Sequence, residues 1–152
     1  MKNVHVLPTE KPSNLIESNL SLIRVTDEFN QKDLDFIQAK FMNIYITSDE
    51  EIKEGDWCLC SEELIHKVVE IKSNIGIIRF QDGVTEVLDA CKKIILTTDQ
   101  DLIADGVQAI DDEFLEWFVK NSGCKEVDVV KGFADGSKYG FNFLDYKIII
   151  NK

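Results

Sequence analysis

Apolar and polar residues alternate with a period of two over much of this chain, in short stretches separated by turn residues. Asn43-Ile44-Tyr45-Ile46-Thr47 places Ile44 and Ile46 on one face, as a half-buried strand requires. Val4 to Leu7 and Leu20 to Val25 read the same way, and Pro8 and Pro12 bracket a polar stretch between them that a strand does not continue through. Trp57-Cys58-Leu59-Cys60 resumes the alternation, with Cys58 and Cys60 sharing a side. Leu64–Ile71 and Ile75–Phe80 are two β-rich runs joined through Lys72-Ser73-Asn74, which predicts a hairpin ending at Gln81-Asp82-Gly83. Lys93 to Thr98 is nearly all apolar at strand length, the pattern of a central strand covered on both faces. Glu126–Val130 and Tyr146–Ile150 predict two closing strands, and Glu86–Lys92 fits neither period.

Helical spacing is concentrated late in the chain. Asp111 to Asn121 is the main predicted helix: Asp111 is an N-cap, Asp112 and Glu113 suit the positive end of the helix dipole, and Lys120 suits the negative end. Gly123 stands where a left-handed residue would terminate it. Phe114, Leu115 and Phe118 line one face and Trp117 widens it, so the helix should dock firmly on a sheet. Asp99–Ala104 predicts one short turn closed by Asp105-Gly106, and Leu34, Ile37 and Phe41 suit either a short helix or an ordered loop. The fold class predicted is α+β: a small, curved, mostly antiparallel sheet or open barrel carrying one main packed helix. Residues 1–152 read as a single domain, with the first 42 the least regular part.

Composition adds a constraint on partners. Of 152 residues, 44% are hydrophobic, which suffices for a core, and the net charge is −11. With no run of three Lys or Arg, direct nucleic-acid binding and docking on anionic lipid are disfavoured. The excess acid reads as solubility, or alternatively as carboxylates imitating nucleic-acid phosphates. No apolar run approaches the ~20 residues of a membrane span. Met1 to Pro8 lacks the apolar core of a signal peptide, which points to the cytoplasm. In that compartment Cys58, Cys60, Cys91 and Cys124 are expected as reduced thiols packed like small hydrophobes, since C-x-C is not zinc-knuckle spacing.

Candidate chemistry is sparse. His5 and His66 are accompanied by no G-x-S-x-G element. A Cys58 or Cys60 pair with His66 across a hairpin is geometrically open, but a strand histidine with a satisfied ring is the simpler reading. Asp49, Glu50, Glu51, Glu54 and Asp56 form one acidic loop, and Asp99, Asp101 and Asp105 another; either offers oxygen ligands to a hard cation. The second departs from a calcium loop at Ile103 and Ala104, and a solvated connection and a helix start explain both clusters without metal. No metal or cofactor is therefore expected. Gly132, Gly136 and Gly140 recur every four residues near Lys131 and Lys138, where backbone N–H groups could cradle an anion. Lys131, Gly132, Gly136, Lys138 and Tyr139 are the candidate ligand-binding residues, against the plainer reading of a hairpin loop.

Three strings in order, Asn43–Trp57, Lys93–Asp99 and Ile110–Asn121, resemble a family of small uncharacterised proteins from Bacteroidota and their bacteriophages. His5–Ser13 and Tyr146–Ile150 look similar to it as well, so the resemblance covers most of the chain. The chain departs from the family at Ser122-Gly123, where proline is usual, and in the Gly132–Asn142 insert. The resemblance implies an accessory or counter-defence role in an infected bacterial cell, through a non-enzymatic module that binds a host protein or a small anionic ligand. Two alternatives stand beside it: a sponge for a small nucleotide signal, and a metal-assisted hydrolase using an acidic cluster.

Overall fold

The structure is a computed structural model that describes residues 2–11, 13–18, 21–24, 40–61, 64–131 and 146–150. In chain order its elements are β1 (Val4–Pro8), β2 (Leu15–Ser18), β3 (Ser21–Arg24), β4 (Lys40–Ser48), β5 (Trp57–Leu59), β6 (Ile65–Lys72), β7 (Ile77–Phe80), β8 (Thr85–Val87), a single 3-10 turn (Leu88–Ala90), β9 (Lys92–Thr97), α1 (Gln100–Ala104), β10 (Gln108–Ala109), α2 (Asp112–Lys120), β11 (Asp128–Lys131) and β12 (Tyr146–Ile149). Strands dominate and most pairings are antiparallel; the exception among those whose direction is defined is β10 on β9. The chain divides into two compact units, Met1–Tyr45 with Leu96–Lys152, and Ile46–Ile95. The division falls inside β4 and β9. Of the expected short helix or ordered loop through Leu34, Ile37 and Phe41, the first two lie outside the described residues and Phe41 belongs instead to β4; the Gly132–Asn142 loop also lies outside the described residues.

In the first unit β2 pairs with β3 and β4, in registers Ile16↔Ile23 and Ile16↔Phe41, and β1 also joins β4. Leu15 and Ile16 are both fully buried, so β2 is covered on each face. That is why its Leu-Ile-Glu-Ser sequence shows no alternation. After β9 the chain turns through α1 and returns as β10, parallel to the end of β9 with Gln108↔Leu96 and Ala109↔Thr97. Gly106 closes α1 at φ 107°, a left-handed conformation that glycine adopts without a Cβ clash. Helix α2 packs against β3. Phe114, Leu115 and Phe118 are buried, and the Phe114 and Phe118 rings stack at 5.3 Å. Arg24 on β3 reaches Asp112 at 2.5 Å in the first turn of α2, tying the exposed edge of this contact.

Asp111 caps α2 as its sequence predicts, accepting from the Phe114 N–H at 2.8 Å. The C-terminus differs from expectation. Gly123 is not left-handed, and the helix ends at Asn121, whose N–H bonds to Phe118 O and whose Nδ2 donates to Trp117 O at 2.8 Å. The asparagine amide satisfies a carbonyl that a left-handed glycine would otherwise have satisfied through backbone.

Two side-chain amides extend the pairing of the first unit by imitating backbone. Asn3 Nδ2 donates to Val127 O at 2.8 Å while Asn3 Oδ1 accepts from Val127 N at 2.9 Å. Gln108 does the same to Tyr146 O and N, at 2.8 and 2.7 Å. The second clamp holds the start of β12, which pairs antiparallel with β11.

The second unit is a meander. β5 pairs with β6, β6 with β7 and β7 with β8, all antiparallel, and the opening residues of β9 lie beside β5. The predicted hairpin is present, with its turn at Ser73–Gly76 and an irregularity in register between Val68 and Glu70. Cys58, Cys60, Val68, Ile78, Phe80 and Cys91 form the buried cluster of this unit. The stretch that fits neither period resolves into β8 and the 3-10 turn.

Candidate functional site

A cleft of about 440 Å³ opens in the first unit where β9 gives way to α1. Three segments distant in sequence line it: Pro8–Lys11 with Ser13, Asn43 on β4, and Thr98–Asp101. Position at the C-terminal end of a strand that has a parallel neighbour is a common setting for ligands, because the chain leaves the sheet there and exposes loop polar groups.

The cleft side chains are fixed from behind. Asn43 Oδ1 accepts from Thr98 Oγ1 at 3.0 Å, and Thr98 Oγ1 accepts in turn from Ile44 N at 2.9 Å. Ser13 Oγ donates to Met42 O at 2.6 Å and lies 3.1 Å from Asn43 Oδ1. Thr97, fully buried, donates to Ile44 O at 2.8 Å and accepts from Asp99 N at 3.0 Å. Asp99 caps α1 by accepting from Asp101 N at 3.0 Å, and its second oxygen accepts from the Tyr45 hydroxyl at 2.6 Å. Burial, and then the bond to Asp99, push the Tyr45 hydroxyl above its ordinary pKa, so it stays a donor. At the rim the Lys11 ammonium meets Asp101 Oδ2 at 2.5 Å, and that bond raises Lys11 above its usual value.

The second unit holds two further arrangements. Continuing the Val68↔Phe80 register by two residues sets His66 across from Asp82, and Nδ1 lies 3.0 Å from Asp82 Oδ2. The ring stacks on Phe80 at 4.6 Å. The ring is therefore satisfied at Nδ1 only: Nε2 is buried without a hydrogen-bond partner among the described residues. Trp57, Ile65 and Gln81 border a shallow recess of about 340 Å³ beside it. The second arrangement is sulfur. Cys60 Sγ and Cys91 Sγ lie 2.8 Å apart, and all four cysteines are free. Burial pushes the nearby Cys58 thiol up to about 12.

The acidic loop from Asp49 to Asp56 is divided among separate partners. Asp49 meets Lys92 at 2.5 Å, while Asp56 accepts from Lys53 N at 2.8 Å and lies 3.6 Å from Lys93. Among the described residues no three His, Cys, Asp or Glu side chains converge as a metal site would need. Of the anion-loop candidates, Lys131 ends β11 with its ammonium 5.4 Å from the Tyr146 ring centroid, a cation–π contact. Gly132, Gly136, Lys138 and Tyr139 lie outside the described residues.

The sequence places Asp99 and Asp101 at a helix start but gives no sign of Lys11, Ser13, Asn43 and Tyr45 as their neighbours. No local motif joins them; strand register does. Comparison with protein-family models, with curated proteins and with solved structures finds no match to this chain. No described helix is long and apolar enough to cross a membrane.

Proposed function

We propose that this chain is a binding module that takes a small, polar, hydroxyl- or amine-bearing ligand in the cleft between Lys11, Asn43 and Asp101. The observation that carries this reading is the anchoring of the cleft: Asn43, Thr98 and Asp99 each hold a second bond within the fold. Side chains locked from behind lose little entropy when a ligand arrives, which favours recognition. The same bonds occupy the groups a reaction would have to move. Asp99, the most buried carboxylate position of the cleft, already accepts from a hydroxyl and from a helix N–H.

Charge selects the ligand class. Glu10, Asp99 and Asp101 face one Lys11 in the lining, so the cleft favours a neutral or cationic molecule over the anionic one expected from the glycine-rich segment. Hydroxyl, amide and carboxylate groups together suit a polyol or an amine. The resemblance to phage-associated small proteins supports an accessory role during infection, with the bound molecule drawn from the host cell.

A thermal-shift panel of polyols, polyamines and adenine nucleotides tests the reading. A polyol or polyamine at millimolar concentration should raise Tm, and Gln100→Ala with Asp101→Asn should reduce that rise. A nucleotide-only response, or a response indifferent to both substitutions, would overturn it.

A further inference from the structure

The register of β5 against β9 brings two cysteines face to face. Cys58 pairs with Lys93 and Leu59 with Lys92, so the next step sets Cys60 opposite Cys91. Directly opposed antiparallel residues have Cα atoms about 4.5–5.5 Å apart, inside the span a disulfide bridges. The side chains use that opportunity: Sγ to Sγ is 2.8 Å, closer than two sulfurs that merely pack. Each cysteine is held on its main chain, Cys60 N donating to Leu64 O and Cys91 N to Leu88 O. Both are 5% exposed, in a cluster otherwise built of Val68, Ile78, Phe80 and Cys58.

We propose that Cys60 and Cys91 are a thiol–disulfide site, oxidised to a reversible cross-strand disulfide by a peroxide. Either S–H can donate to the other sulfur, and Cys91 Sγ also has Val87 O as an acceptor at 3.7 Å. Cys91 is assigned as the attacking sulfur because the Cys60 S–H, turned toward it, favours its thiolate. It attacks the O–O bond of hydrogen peroxide; an S–O bond forms, and the departing hydroxide takes a proton to become water. Cys60 then attacks the sulfenic sulfur of Cys91; the S–S bond forms, the S–O bond breaks, and hydroxide leaves as water with the Cys60 proton. Two thiols are oxidised and one peroxide is reduced to two waters. The new bond closes a covalent loop around β6, β7 and β8. Cys58 stays out of it, because its cross-strand neighbours are Lys93 and His66.

The test treats the full chain with one equivalent of hydrogen peroxide, alkylates it under denaturing conditions and maps the peptides. Two of the four thiols should be lost, a Cys60–Cys91 linked peptide should appear, dithiothreitol should reverse it, and the oxidised chain should melt at higher temperature. In Cys60→Ser, which removes the resolving sulfur, the sulfenic acid at Cys91 should be trapped by a 1,3-dione. Should that variant not fold, the map of the unsubstituted chain decides alone. Cys60 and Cys91 still fully alkylated after treatment, or a linkage through Cys58, would sink the proposal.

Discussion

The Tyr45 hydroxyl lies 2.6 Å from Asp99 Oδ2, joining the middle of β4 to the residue that caps α1. Tyr45 is buried, and the carboxylate is the stronger kind of acceptor because it is charged. Tyr45→Phe keeps the ring and removes only this bond. It should lower unfolding free energy by about 1.5 kcal/mol, the lower end for a bond to a charged group. Urea unfolding should show a reduced midpoint with an unchanged m-value.

What local pattern encodes was legible in the sequence, and what register encodes was not. Phe114, Leu115 and Phe118 form the buried face of α2 as their spacing implies. Ile44 and Ile46 are buried on β4, but so are Asn43, Tyr45 and Thr47 beside them, so the strand is covered on both faces although its sequence alternates. Strand β2 is hidden in the sequence because Leu15 and Ile16 are adjacent and both buried, which erases the period of two. The terminating role expected of Gly123 belongs to Asn121, since either residue can end a helix and the sequence holds both within three positions. Lys11, Asn43 and Asp101 belong to three segments, and only the pairing of β1, β4 and β9 makes them neighbours. Cys60 and Cys91 show the same dependence: counting onward from Leu59↔Lys92 finds them, but nothing before the pairing does.

Alkaline pH should expose the buried acids. Cys58 is raised from 9.0 to about 12 by burial, and Tyr45 is raised above its ordinary 10.0. For a group raised in the folded state, the stability it contributes is complete below the unfolded pKa and is lost as pH climbs toward the folded one. The contribution of Cys58 should therefore be level to pH 9 and fall from pH 9 to 12, alongside that of Cys60, which its bond to Cys91 and burial also raise, with Tyr45 adding its share above pH 10. Each group fully in its window adds a slope of roughly 1.4 kcal/mol per pH unit. Cys58→Ala should make the fall above pH 9 shallower and Tyr45→Phe the fall above pH 10, as read by chemical denaturation at each pH.

Two glycines and one aspartate test the helix ends. Gly123 has ordinary φ, and nothing lies within 4 Å of where a Cβ would stand, so Gly123→Ala should be neutral or stabilise by about 0.5 kcal/mol through the unfolded chain. Gly106 sits at φ 107°, and Gly106→Ala should cost about 1–2 kcal/mol in backbone strain. Asp111→Ala removes the bond to Phe114 N and should cost about 1 kcal/mol. The ranking of the three melting temperatures checks the assignment; Gly123→Ala as the most damaging would reverse it.

The His66–Asp82 pair sets two effects against each other. Asp82 fixes the imidazole proton on Nδ1, which leaves Nε2 as a buried lone pair with no donor among the described residues. Asp82 is 52% exposed, so its bond is worth only about 0.5–1 kcal/mol after solvent screening. An unmet buried polar atom costs about 1–3 kcal/mol, which is the larger quantity. His66→Phe keeps the stack on Phe80, removes the orphaned nitrogen and should raise stability by about 1 kcal/mol. Asp82→Ala should lower it in the original chain by less than about 1 kcal/mol more than in the His66→Phe chain, where only the bond from Val84 N to Asp82 Oδ1 at 3.2 Å is left to lose. A double-mutant cycle by urea unfolding measures both, and a destabilised His66→Phe chain would mean that the imidazole bond outweighs the buried nitrogen.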